Sequence, residues 1–150
     1  MSLEQQIMAQ LKTAMKEKNQ VALAALRAVK SAILLEKTSG GSGELSEQDE
    51  IKILQKQVKQ RKEAAEQFIA NNAQEMADEE LAQAKVIEQF LPAQMSEDEV
   101  EAVLKGIIAE VGAEGPKDMG KVMGAATQKL ASQADGKMIS QLVKKLLGTA

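Results

Sequence analysis

Apolar residues recur at helical spacing along almost the whole chain. Leu3, Ile7, Leu11 and Met15 fall every four positions, and Ala22, Leu26, Val29 and Ile33 follow at steps of four, three and four. The spacing predicts two amphipathic helices, parted near Asn19, a residue suited to capping the second. Thr38 to Gly43 reads as a mobile loop, because its glycines and serines fix a backbone only at high entropic cost. Ser46 with Asp49 forms a capping-box-like start to a long third helix carrying Ile51, Leu54, Val58, Ala65, Phe68 and Ile69, with an end expected near Asn71-Asn72. A fourth helix is expected through Leu81, Ala84, Ile87 and Leu91, stopped by Pro92, which excludes the helical conformation from its predecessor. Beyond it, Ser96 and Glu99 make a full capping box for a helix with Val100, Val103, Leu104, Ile107 and Val111, and Gly112 suits its end. Pro116 fits the first turn of a sixth helix whose inward stripe is Met119, Val122, Met123, Ala126 and Leu130. Asp135 is placed to cap a seventh with Ile139, Leu142, Val143 and Leu146 inward. No strand-like alternation and no internal repeat interrupts the series. The expected fold is all-α, with a four-helix N-terminal subdomain over 1–90 and a three-helix C-terminal subdomain over 91–150.

Composition sharpens this picture. Phe68 and Phe90 are the only aromatic residues, so aliphatic and Met side chains must fill the core, as suits a helix bundle. The chain has no Cys and no His, which removes disulfides, thiol catalysis and the usual catalytic base, and makes a zinc site or other metal site unexpected. No segment approaches the ~18 consecutive apolar residues of a membrane span, and the start Met1 to Gln10 does not read as a signal peptide. The expected location is cytoplasmic, with no membrane partner.

Charge is unevenly spread. Residues 91–115 hold one Lys against six acids, whereas 116–150 hold six Lys against two acids. A basic end on an otherwise acidic chain reads either as solvated lysines or as a surface for an anionic partner. Lys52, Lys56, Lys59, Arg61 and Lys62 form a second basic stretch, without an acid, on the third helix. Such a stripe is able to track a phosphate backbone, although the absence of Tyr and Trp argues against unpaired bases as its target.

Three features are candidates for chemistry or binding. Arg61 stands between Val58 and Ala65, where the helical period asks for an apolar residue. Either its stem packs while the guanidinium snorkels or pairs with a carboxylate such as Glu36, or it is an anion-binding group, with Arg27 as a second. Gly120 and Gly124 lie four apart on a helix, at a cost of about 1 kcal/mol each relative to Ala. They call for close helix packing or for close approach of a partner backbone beside Lys117 and Lys121. Finally, Ser140 with Lys144 is the single local stand-in for an activated Ser, and the spacing is read as coincidental; no catalytic residue is assigned.

Several ordered motifs together resemble the small bacterial YqeY family. They are Leu26-Arg27 with Lys30 and Glu36, Lys59-Gln60-Arg61-Lys62-Glu63, Phe90-Leu91-Pro92, Met95-Ser96-Glu97-Asp98-Glu99, Asp118-Met119-Gly120-Lys121-Val122-Met123-Gly124, Ala134-Asp135-Gly136, and the Leu142-Val143 helix. The C-terminal part is also similar to the tail domain of GatB, the tRNA-binding subunit of the glutamine-dependent tRNA amidotransferase. That resemblance implies a link to carbon-nitrogen ligation with glutamine as amido donor, but the catalytic domain of GatB has no counterpart here. What the resemblance carries over is tRNA contact, at Gly120, Lys121, Val122 and Met123 and at the Ala134-Asp135 turn, with Lys117 and Gly124 beside them. No cofactor is implied. The chain departs from the pattern at Ser132-Gln133, where a GatB-like tail has Gly followed by a basic residue. It departs again at Phe90, where Tyr is usual, and at Gln83, where Glu is common. The leading expectation is a non-catalytic tRNA-binding module. The alternative is a protein-interaction module that docks on a tRNA synthetase or an amidotransferase subunit through the Met119, Met123, Gly120 and Gly124 face.

Overall fold

The computed structural model describes residues 1–39 and 43–148, which form seven α-helices and one 3-10 turn, with no strand among the described residues. The helices are α1 (Leu3–Glu17), α2 (Gln20–Ser39), α3 (Glu47–Ala70), α4 (Gln74–Glu88), α5 (Glu97–Val111), α6 (Met119–Leu130) and α7 (Gly136–Leu147), with the 3-10 turn Pro116–Asp118 leading into α6. The chain divides into two compact units, Met1–Leu91 and Pro92–Ala150.

Helix starts are written in the side chains. Full capping boxes open α1 (Ser2 with Gln5), α3 (Ser46 with Asp49) and α5 (Ser96 with Glu99), each satisfying two backbone N–H groups that no helical carbonyl reaches. Asn19 Oδ1 accepts from the Ala22 N–H at 3.0 Å at the start of α2, and Asp135 Oδ2 accepts from the Met138 N–H at 3.3 Å at the start of α7. Lys18 and Gly112 end α1 and α5 in the left-handed conformation.

In the first unit, α1 packs on α2, and α2 on both α3 and α4, around Ile7, Leu11, Leu23, Leu26, Val29, Ile33, Leu54, Val58 and Ile87. The strict four-residue step expected of α1 drifts off the core, because 3.6 residues make a turn: Ala14 is buried and Met15 is 59% exposed. In α4, Leu81 is exposed and Ala77 is buried instead. Two further expectations shift. Thr38 and Ser39 belong to α2, their hydroxyls donating back to the Leu35 and Glu36 carbonyls, while Gly40 to Ser42 lie outside the described residues. And α4 ends at Glu88 rather than at Leu91. Because Pro92 bars the helical conformation from Leu91, the chain leaves through tighter bonds, Phe90 N–H to Ile87 O and Leu91 N–H to Glu88 O.

The second unit wraps α5, α6 and α7 about Val100, Leu104, Ile107, Val122, Ala126, Leu130, Ile139, Leu142, Val143 and Leu147. Each fully buried Val, Leu or Ile among these contributes roughly 1.5–3 kcal/mol. Its entry segment is tied to the turn between α6 and α7. The Met95 N–H donates to Gln133 O at 2.8 Å, and Gln94 Nε2 donates to Ser132 O at 2.8 Å. Ser132-Gln133 thus supplies carbonyls that hold this unit closed.

Candidate functional site

The α6 segment collects most of the sequence-predicted binding residues, and the structure sorts them by burial. Val122 is fully buried in the core, and Met119 and Met123 are half-buried against it, so these three hold α6 in place. Gly120, Lys121 and Gly124 are exposed, as is Lys117 in the preceding 3-10 turn. Within α6, positions 120, 121 and 124 follow helical spacing and share one face, and Lys117 precedes them in the 3-10 turn. The inward expectation for the glycines fails here: a Cβ built on Gly120 or Gly124 meets nothing within 4 Å. Among the described residues nothing packs against their Cα faces, and neither has a positive φ that would demand glycine.

Asp118 tempers the charge of this face. Its carboxylate accepts from the Glu114 N–H at 2.9 Å, which holds its pKa below the ordinary aspartate value, and the neighbouring Lys117 and Lys121 lower it further. Asp118 therefore stays ionised and pins the turn that presents Lys117. Of the other predicted residues, Asp135 is half-buried and caps α7. On α7, Lys137, Lys144 and Lys145 are exposed, Lys145 lying 3.8 Å from Glu101 of α5.

The basic stretch of α3 is less uniform than its sequence. Lys52, Lys56 and Lys62 are exposed, Lys59 is half-buried, and Lys62 pairs with Glu88 at 3.1 Å. Arg61 does not meet Glu36, which is exposed on α2. Its Nε donates to Gln83 Oε1 of α4 at 3.1 Å, and one terminal nitrogen donates to Gln57 O at 3.1 Å and to Gln57 Oε1 at 2.8 Å. Half-burial pushes the Arg61 guanidinium below its ordinary pKa, with Glu80 drawing it part of the way back. Arg27 is exposed on α2, so the two arginines do not form a buried anion site. The role of Gln83 was legible only through the family pattern; the Arg61–Gln83 contact follows from the α3–α4 hairpin, which the helical period alone does not register.

Among the described residues, no cluster of three His, Cys, Asp or Glu is arranged to hold a metal, and no helix is long and apolar enough to cross a membrane. Fold and surface together define a two-unit, all-helical protein whose most unusual exposed feature is a glycine and lysine face on α6. The chain belongs to the YqeY family: the model of Yqey-like proteins matches residues 4–147. None of the curated proteins matches it.

Proposed function

We propose that the second unit is a non-catalytic RNA-binding module that reads the folded body of tRNA through shape and phosphate contacts, with the Lys117, Gly120, Lys121 and Gly124 face of α6 as its centre. The observation that carries this reading is the pair of open glycines. Glycine inside a helix is destabilising by about 1 kcal/mol relative to Ala, and here no internal packing offsets that cost. A flat, Cβ-free strip beside two exposed lysines admits a phosphodiester backbone closely while supplying its counter-charges. The resemblance of Gly120-Lys121-Val122-Met123 and of Ala134-Asp135 to the GatB tail supports the same partner, and carries with it the proposed link to tRNA-dependent amidation. Ligase chemistry would then belong to a partner enzyme. The alternative, docking on a synthetase or amidotransferase subunit through a Met-rich face, is less well supported because Met119 and Met123 are half-buried against the core.

The test is titration of labelled tRNA with the full chain and two double variants. Lys117→Ala with Lys121→Ala is expected to weaken binding about tenfold and to flatten its salt dependence by roughly one to two counterions. Gly120→Ala with Gly124→Ala is expected to weaken binding too, although no charge changes. Unchanged affinity in both variants overturns the reading.

A further inference from the structure

The first unit carries a separate surface that its core does not explain. Between α1 and α2 lies a cleft of about 140 Å³, floored by the buried Ile7 and Ile33 and walled by Met8 and Leu34. Met8 is 42% and Leu34 61% exposed, so two large apolar side chains stand in water at its mouth. That volume matches one large apolar side chain, since cavities of about 150 Å³ take up a benzene ring.

The charges around the cleft are polarised along it. At one end Lys37 is paired with Glu4, and Glu50 of α3 feels both of them. Toward the other end stands Lys30 on α2, while Lys12 lies one turn from Met8 on the adjoining surface of α1; both are exposed and neither is in an ion pair among the described residues. Arg27 is exposed one turn from Lys30, and α2 has no acid before Glu36. An apolar cleft with one neutralised end and one basic end fits a ligand that is apolar at its centre and acidic on one side.

We propose that this cleft docks an acidic amphipathic helix of a partner protein, which inserts one large aliphatic or aromatic side chain between Met8 and Leu34 and sets carboxylates a turn away against Lys12 and Lys30. Helix-in-groove recognition uses this division of labour, the anchor giving affinity and the charges giving orientation. Methionine at the wall adapts to the anchor's shape. The surface is distinct from the α6 face and does not depend on RNA binding.

The experiment uses the full chain and a fluorescein-labelled, helix-forming synthetic peptide with a central Leu flanked by Glu at helical spacing. Its controls carry Lys for each Glu, or Ser for the Leu. Only the acidic, Leu-bearing peptide is expected to bind. Lys30→Glu and Leu34→Ser are each expected to weaken it about tenfold or more. Glu4→Gln, which frees Lys37, is expected to tighten it. Both weakening variants sit on exposed positions, so their melting curves should overlay the parent's. Failure of the acidic peptide to bind, equal binding of either control peptide, or unaltered affinity for Leu34→Ser overturns the proposal. Self-association of the chain that Leu34→Ser abolishes also overturns it, because the occupant is then a second copy.

Discussion

At the scale of single residues, Arg61 shows how a charged group is accommodated on a helix face that wants an apolar one. Its stem packs in the α3–α4 hairpin, and its donors are met by neutral amides, Gln57 and Gln83. Amides satisfy the hydrogen bonds but return none of the electrostatic cost of half-burying the charge. Gln83→Glu is therefore expected to stabilise the protein by about 0.5–1 kcal/mol in urea denaturation, a gain held down by solvent and reduced further by salt. Glu50 is the opposite case. Partial burial, together with Glu4 and Glu47, raises its pKa above the ordinary 4.5, and Lys37 offsets this only in part. An acid whose folded pKa is raised is a liability when ionised. Folded protein holds the proton better than unfolded chain, so stability from this group increases as pH falls through the raised value toward 4.5. Glu50→Gln is expected to raise Tm at neutral pH and to lose that advantage below about pH 4.5, which thermal melts across pH will show.

At the scale of elements, α6 is held on one side and unfinished on the other. Val122, Ala126 and Leu130 bury its inner stripe, while Gly120 and Gly124 leave its outer face bare. Because an added Cβ meets nothing there, Gly124→Ala and Gly120→Ala are each expected to stabilise the fold by about 0.5–1 kcal/mol, the smaller gain at Gly120 in the first turn. A loss of stability would mean that α6 needs its glycines for packing after all. Helix existence and type were legible because periodicity and caps agree: Ser46, Ser96, Asn19 and Asp135 all sit where the side-chain oxygen reaches an orphan N–H. The drift of α1 onto Ala14 and the burial of Ala77 in α4 were not, since small residues signal burial weakly beside Met15 and Leu81. The end of α2 was misread for a related reason. Thr38 and Ser39 favour loops by composition, but their hydroxyls bond back to the preceding turn and continue the helix.

At the scale of the molecule, each unit has its own aliphatic core, and the surfaces differ in character. The first unit presents an apolar cleft edged by Lys30, with Lys12 one turn from its Met8 wall; the second presents glycine and lysine on α6. The sequence marked Lys117, Gly120, Lys121 and Gly124 as unusual, but the choice between inner packing and outer contact needed three dimensions. The rotational setting of α6 about its axis decides it, and Val122 at 0% exposure fixes that setting. The cleft was invisible from sequence, because Met8 and Leu34 are 26 positions apart and each alone reads as an ordinary helical apolar residue.

The most direct test of the account compares labelled tRNA with an RNA duplex of equal length, titrated with the unaltered chain at low and near-physiological salt. An RNA-reading α6 face predicts tighter binding of tRNA than of duplex at both salts, with a preference that the Gly120→Ala, Gly124→Ala variant loses while remaining at least as stable as the parent. Equal affinity for the two RNAs, or no binding of either, would contradict it.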